Sequence, residues 1–247
     1  TFWTRCLQDL KSIRPLFFLA EADDAPLHNA GFDATYTWRE YNVIKEVAAG
    51  KKDVTYLDTI FNTIDTSFMK GAWRLYFTSN HDENSWNKAD FETMPGIIHA
   101  PFAVLALTYN RTMPLIYSGQ EEPVLRALQF FEKDPIQFNK YERASFYTAL
   151  LQLRNSNKAF GEKAQFKRLS VNNPNAIMAY QRVFENDKVV VVLNLSNKAQ
   201  VVQLELNGQA SKYKELFTGK QFSNIQNSAL PPWGYQVFVK MNEAINR

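Results

Sequence analysis

From the start of the chain to about Asn155, short apolar runs alternate with segments whose apolar residues recur at helical spacing. That is the pattern of consecutive strand–helix units on a parallel sheet. The first helix is predicted over Phe2 to Ile13, where Arg14 and Pro15 end it. Leu16 to Ala20 reads as a short, wholly apolar strand of the kind buried on both faces, and Phe32 to Tyr36 as the next strand. A helix follows from Trp38 to Ala48, stopped by Gly50. In another, closed by Gly71, Leu57, Ile60, Phe61, Ile64 and Phe68 recur at helical spacing. Trp73 to Thr78 is the third strand, Met94 to Tyr109 the next helix with Pro95 in its first turn, and Pro114 to Tyr117 the fourth strand. The last helix, Lys140 to Arg154, gathers Phe146, Tyr147, Leu150 and Leu151 on one face.

Asn155, Ser156 and Asn157 mark a boundary, and after Gly161 helical periodicity gives way to β-rich runs. These are Asn175 to Phe184, Lys188 to Leu195, Gln200 to Leu206 and Tyr235 to Val239. Asn173-Pro174, Asn186-Asp187, Asn207-Gly208 and Pro231-Pro232 punctuate them, as in an antiparallel sandwich. The expected domains are therefore residues 1–158, α/β, and residues 159–247, all-β. Four parallel strands do not close a barrel, and an open half would leave two edges and an apolar face uncovered. Either an upstream segment or a second copy of the chain is expected to cover them.

Composition narrows the partners. The 247 residues are 45% hydrophobic and 21% charged, as in ordinary soluble domains. The net charge of +3 comes from interspersed basic and acidic residues with no basic block, which argues against nucleic acid. The apolar stretch Pro101 to Leu107 is too short to span a bilayer, so no membrane span is expected. The lone Cys6 excludes an intrachain disulfide and reads as a buried thiol on a helix. Thr1 is not an initiator Met, so the start is expected to be internal to something longer.

Chemistry concentrates at two predicted strand ends. Glu21 closes the run Leu16 to Ala20, and Asn80, His81 and Asp82 follow Leu75, Tyr76 and Phe77. Parallel α/β barrels keep their catalytic groups at such ends. Two carboxyls there suit glycosidic-bond cleavage, in which one protonates the leaving oxygen and the other attacks or stabilises the anomeric centre. On spacing alone they also read as the acid and base of an inverting enzyme. An Asn-His-Asp triplet in isolation is better explained by a turn or helix cap; its place after an apolar strand, in step with Glu21, favours a site.

Four segments carry a family resemblance. Phe17-Phe18-Leu19-Ala20-Glu21 resembles the fifth-strand motif of the α-amylase family of glycoside hydrolases, and Phe77-Thr78-Ser79-Asn80-His81-Asp82 its seventh-strand motif. Gly31 to Trp38 is similar to its sixth-strand segment and Pro114 to Glu121 to its eighth, while the tail with Pro231-Pro232-Trp233-Gly234-Tyr235 resembles its C-terminal β-sandwich. The resemblance implies the second half of a (β/α)8 TIM barrel followed by that sandwich, and retaining hydrolysis of α-glucosidic bonds in starch-like glucans or maltooligosaccharides.

By the same resemblance Glu21 would be the general acid/base in a water-poor site, Asp82 the stabiliser of the oxocarbenium-like transition state, and His81 a donor to the same sugar ring. The family's nucleophilic Asp ends its fourth strand, upstream of this chain, so the chain alone is expected to be inactive. The usual calcium ligands would lie upstream as well, leaving no cofactor identifiable here and calcium for the parent protein. A secreted or periplasmic location is the family's habit. A non-catalytic glycan-binding or interaction protein on the same scaffold is the alternative reading, and transglycosylation a third.

Other residues carry weaker signals. His28 reads as a solvated loop residue and His99 as helical, and the three His show no pair of the kind that holds a metal on one helix face. Trp86 and Tyr117, together with Asn80, are candidates for substrate contact, whereas Trp38 serves a core as well as a site. The loop Gln120 to Pro123 is placed at the cleft, with Glu121 either lining it or bracing its own loop.

Overall fold

The computed structural model describes residues 1–206 and 211–241. Among them, four parallel strands lie side by side in chain order: β1 (Leu19–Ala20), β2 (Ala34–Tyr36), β3 (Trp73–Tyr76) and β4 (Thr112–Pro114). The register pairs Leu19 with Ala34, Ala34 with Trp73 and Arg74 with Thr112, which brings the C-terminal ends of the strands to one side of the sheet.

The helices follow from local sequence. In α1 (Phe2–Ile13), the Thr1 side chain accepts the Thr4 amide, and Arg14, restricted by Pro15, is extended and ends the helix. The short α2 (Pro26–Ala30) starts with proline and ends at Gly31, whose φ of 111° only glycine adopts without strain. Tyr41, Ile44, Val47 and Ala48 form the buried stripe of α3 (Trp38–Ala48), and Asp53 caps α4 (Val54–Ser67) through the Thr55 amide. After β3 come α5 (His81–Ser85), α6 (Asp90–Thr93) and α7 (His99–Thr108), and after β4 comes α8 (Ala144–Ser156). Every residue of α7 from Pro101 to Thr108 is buried, because it packs against β4, α8 and strands of the second sheet at once.

The second region holds β5 (Gln165–Arg168), β6 (Ile177–Phe184), β7 (Asp187–Asn194), β8 (Gln200–Gln203), β9 (Tyr213–Glu215), β10 (Gln221–Phe222), β11 (Asn227–Leu230) and β12 (Tyr235–Lys240). A six-stranded antiparallel sheet runs in the order β10-β9-β12-β7-β6-β5, and β11 pairs with β8. Alternation assigns the two faces of β6 and β7 to different cores. Ile177, Ala179, Val190 and Val192 meet Val202, Ile225 and Leu230, while Met178, Tyr180, Val189, Val191 and Leu193 join a core that includes α7 and β3. This two-sided burial explains the unbroken run Val189 to Leu193.

Several expectations need adjusting. The apolar run at β1 is an edge strand with Phe17 and Leu19 exposed, so it is not buried on both faces. The fourth strand lies at Thr112–Pro114, N-terminal to Pro114 to Tyr117, because pairing with Arg74 to Tyr76 fixes its register. Pro95 and Gly96 divert the predicted Met94 helix into a 3-10 turn, Gly96–Ile98, before α7, and α8 starts at Ala144. Cys6 is half-buried. His28 is buried on α2, 3.1 Å from the Thr35 hydroxyl. The Asn207-Gly208 turn lies outside the described residues.

A buried charge cluster sits beside the sheet. The Arg74 guanidinium donates to both Glu40 oxygens at 3.0 Å, to Asp23 at 2.6 Å and to the Thr35 hydroxyl at 2.5 Å. It also lies 3.9 Å from the centre of the Phe68 ring.

Two predictions follow from these buried groups. Arg74→Met leaves Glu40 buried without its cation and Asp23 with Arg39 alone, and urea unfolding should show a loss of about 3–5 kcal/mol; a loss within error would mean water enters to solvate Glu40. His28 and His99 are both held below the ordinary 6.5, chiefly by burial. The unfolded chain then takes up protons that the folded chain refuses, so stability is full above that value and falls as pH drops below it. The unfolding midpoint should decrease between about pH 7.5 and 5.5 and decrease less in His99→Gln; a flat profile for the parent would refute this.

Candidate active site

Glu21 follows β1 directly, and Phe77 to Ser79 carry the chain from β3 to α5. Asn80 is extended, and its Oδ1 accepts the Glu83 amide at 2.8 Å, which starts α5 and places His81 and Asp82 in its first turn. Two further bonds hold α5. Glu83 accepts from Lys45 of α3 at 3.1 Å, and Asn84 Oδ1 accepts the Leu128 amide of the loop after β4 at 2.7 Å.

The outcome is a tight triplet. His81 Nε2 lies 3.7 Å from Glu21 Oε1 and 3.6 Å from Asp82 Oδ1. One donor atom from each of the three falls within 4.8 Å of the others. An inverting pair needs carboxyls about 6.5–9.5 Å apart to admit its water, so these two are too close for that role. The same three atoms could touch one cation, but two carboxylates and an imidazole fall short of the six to eight oxygens that calcium prefers. The side chains of Glu21, His81 and Asp82 are 51%, 43% and 39% exposed, so the water-poor surroundings expected of Glu21 are not found in the chain alone.

Beside the triplet the floor is aromatic. Tyr36 is buried, stacks on Trp38 with ring centres 5.4 Å apart and touches Phe77. Burial, with the charges of Glu21 and Asp82 added, pushes the Tyr36 hydroxyl above its ordinary pKa. Asp23 is not part of the triplet: Arg74 and Arg39 bind it, and they hold its carboxyl below the usual range although burial opposes this.

A buried brace ties the strand ends together. Gln120 donates to the Thr78 hydroxyl and to Asp90 Oδ2, both at 2.8 Å, and accepts the Tyr117 amide at 2.9 Å. Asp90 also lies 3.2 Å from His99 Nδ1, and despite burial these partners keep its carboxyl below the ordinary range. Glu121 accepts the Gly119 amide, so it braces its own loop. Gly119 sits at φ 93°, where a Cβ would come within 2.7 Å of Val124. Glu122 accepts the amides of Asn139, Lys140 and Tyr141, which lower its pKa, that of Tyr141 most.

The other candidates divide. Trp86 is 59% exposed beside α5. Asn80 is fully buried and reaches the pair only through the turn it caps. Tyr117 lines a small cleft with Asn84, Asp90, Gln120 and Arg143. Sequence reading missed Phe130, whose ring stacks on His81 at 5.8 Å, and Phe131 next to it. Their only signal is a pair of phenylalanines in the polar setting Gln129 to Lys133.

Comparison with known proteins finds similar sequences and folds. A family model described as the C-terminal domain of maltogenic amylase matches residues 166–237. Alpha-amylase MalA of Haloarcula japonica is 27% identical over 179 residues, which are 70% of this chain and 26% of that protein. The maltogenic α-amylase AmyB of Thermotoga neapolitana superposes with a TM-score of 0.79 at 17% identity, over 96% of this chain and 55% of its own. An Anoxybacillus α-amylase gives 0.79 at 17%, over 98% and 56%, and the α-amylase of Geobacillus thermoleovorans, complexed with acarbose, 0.76 at 16%, over 98% and 57%. The chain thus spans about a quarter of the curated relative and just over half of each solved structure. In sequence the chain is thus similar to an α-amylase and to the C-terminal domain of maltogenic amylase, and in fold to solved α-amylases, the family its motifs resemble.

Proposed function

We propose that the chain supplies the acid/base half of a retaining glycosidase that acts on α-glucosidic bonds in starch-like glucans or maltooligosaccharides. The observation that carries the reading is the meeting of Glu21 and Asp82, from two parallel strand ends, at His81 Nε2. Residues 1–158 are then the second half of a (β/α)8 barrel and residues 159–247 a β-sandwich. The open edge at β1 with exposed Phe17 and Leu19 supports a further half, either from the same polypeptide or from a second copy.

Each residue has a distinct role in this chemistry. Glu21 gives its proton to the glycosidic oxygen as the bond breaks, and later takes one from the water that releases the glycosyl intermediate. Asp82 holds sugar hydroxyls and faces the developing positive charge, while His81 donates from its ring to the same sugar. The nucleophile that forms the covalent intermediate comes from the remaining half.

In the protein as its gene encodes it, Glu21→Gln should lower kcat on soluble starch by about 10²–10⁴. It should spare the first-turnover release of nitrophenol from a 4-nitrophenyl maltoside, because that leaving group needs no proton, while the second step, which uses Glu21 as base, stays slow. Asp82→Ala should reduce both. Starch turnover by Glu21→Gln at the parent rate would overturn the assignment. If the parent binds maltooligosaccharide but releases no reducing ends, the non-catalytic glycan-binding reading replaces it.

A further inference from the structure

The backbone on either side of Glu21 is pinned from neighbouring elements. Ala20 pairs with Thr35 in the ladder of β1 and β2, and the Ala22 carbonyl accepts the Tyr36 amide at 3.1 Å. Asp23 then makes four bonds. It accepts from the Arg39 amide at 2.9 Å, from Arg39 Nε at 3.2 Å and a terminal nitrogen of Arg39 at 3.0 Å, and from Arg74 at 2.6 Å. The Glu21 carboxyl, by contrast, is half exposed and lies 3.7 Å from His81 Nε2, longer than a hydrogen bond. Its place is therefore set through its backbone.

Amides in the first turn of a helix lack intrahelical acceptors, and the residue just before the helix commonly supplies one. Thr37, in that place before α3, makes no cap bond and donates its hydroxyl instead to the Leu75 carbonyl of β3 at 2.7 Å. Asp23 supplies the missing acceptor from another part of the chain. One carboxylate thus joins the end of β1 to the start of α3 and, through Arg74, to β3, the strand that leads to His81 and Asp82. Burial works against its charge, yet the bond from Arg39 and the field of Arg74 keep the Asp23 carboxyl below the ordinary range. Charge-assisted bonds of this kind are stronger than neutral ones.

We infer that Asp23 is a positioning residue, whose ion pairs with Arg39 and Arg74 hold the backbone at Glu21 so that the acid comes within hydrogen-bond reach of the glycosidic oxygen. This rests on the function proposed above. Proton transfer tolerates little error, and a displacement of about 1 Å can cost about a hundredfold in rate. His81 and Asp82 ride on α5, which its own cap and Lys45 hold, so loosening Asp23 displaces the acid and leaves the other two.

The test uses the protein as its gene encodes it, with two variants. Asp23→Asn keeps the size and an acceptor oxygen but loses the charge, and Arg39→Met leaves Asp23 paired with Arg74. Turnover of soluble starch, first-turnover release of nitrophenol from a 4-nitrophenyl maltoside and the thermal midpoint are measured on each. Asp23→Asn should lower kcat on starch about ten- to a hundredfold, with KM little changed and first-turnover release spared, the pattern of a misplaced acid. Arg39→Met should show the same split to a smaller degree, and it decides the matter if Asp23→Asn does not fold. The parent kcat in the variant that decides, whatever its midpoint, overturns the positioning role and makes the clamp merely structural. Equal losses in starch turnover and nitrophenol release also overturn it, because the whole site is then disturbed. Both of those results leave the proposed function standing while Glu21→Gln is impaired on starch; the parent rate in Glu21→Gln sinks both readings together.

Discussion

Burying Arg74 constrains everything around the site. A guanidinium withdrawn from water must find acids and acceptors in fixed positions or the fold does not close. Here Glu40 comes from α3, Thr35 from β2 and Asp23 from the connection after β1, so one side chain spaces three elements against β3. The two carboxylates respond differently. Burial wins at Glu40 and pushes its pKa up, whereas Arg39 and Arg74 together hold that of Asp23 down. Asp23 is therefore the acid that its two arginines hold most firmly as a carboxylate. It stands two residues after Glu21, so its ion pairs anchor the backbone that carries the acid.

Much of the fold was legible because its signals are local. The ends of α1 are set by Thr1 and Pro15, and the stripe of α3 by its own period. The runs at β6 and β7 are apolar at every position because each face meets a different core. The parallel strands were harder to bound. Only two to four residues of each pair, and the apolar residues beyond them, such as Phe77, pack without laddering. The register of β4 comes from β3, a partner far away in sequence. The short helices α2, α5 and α6 bury too few residues to leave a period.

The candidate site was legible where its residues coincide with a strand end and illegible where its make-up depends on exposure. Glu21, His81 and Asp82 meet as their positions after β1 and β3 imply. Asn80 belongs to the same motif, yet its oxygen is spent on the helix cap that aims the other two. His28 looked like a loop residue because no apolar stripe surrounds it, and only tertiary packing against Thr35 and Phe68 buries it. Phe130 and Phe131 form an apolar pair in a polar stretch, and their approach to His81 and Trp86 is a tertiary feature that sequence does not report.

The open sheet edge and the open triplet are one problem with one solution. β1 pairs on only one side, and Glu21 is the first residue beyond it. A surface laid against β1 would satisfy the edge backbone, cover Phe17 and Leu19, and remove water from the exposed flank of Glu21 in the same step. Removing water strengthens every charge interaction at the triplet. On the function proposed above, the apolar area at that edge would supply the driving force for enclosing the half-exposed pair.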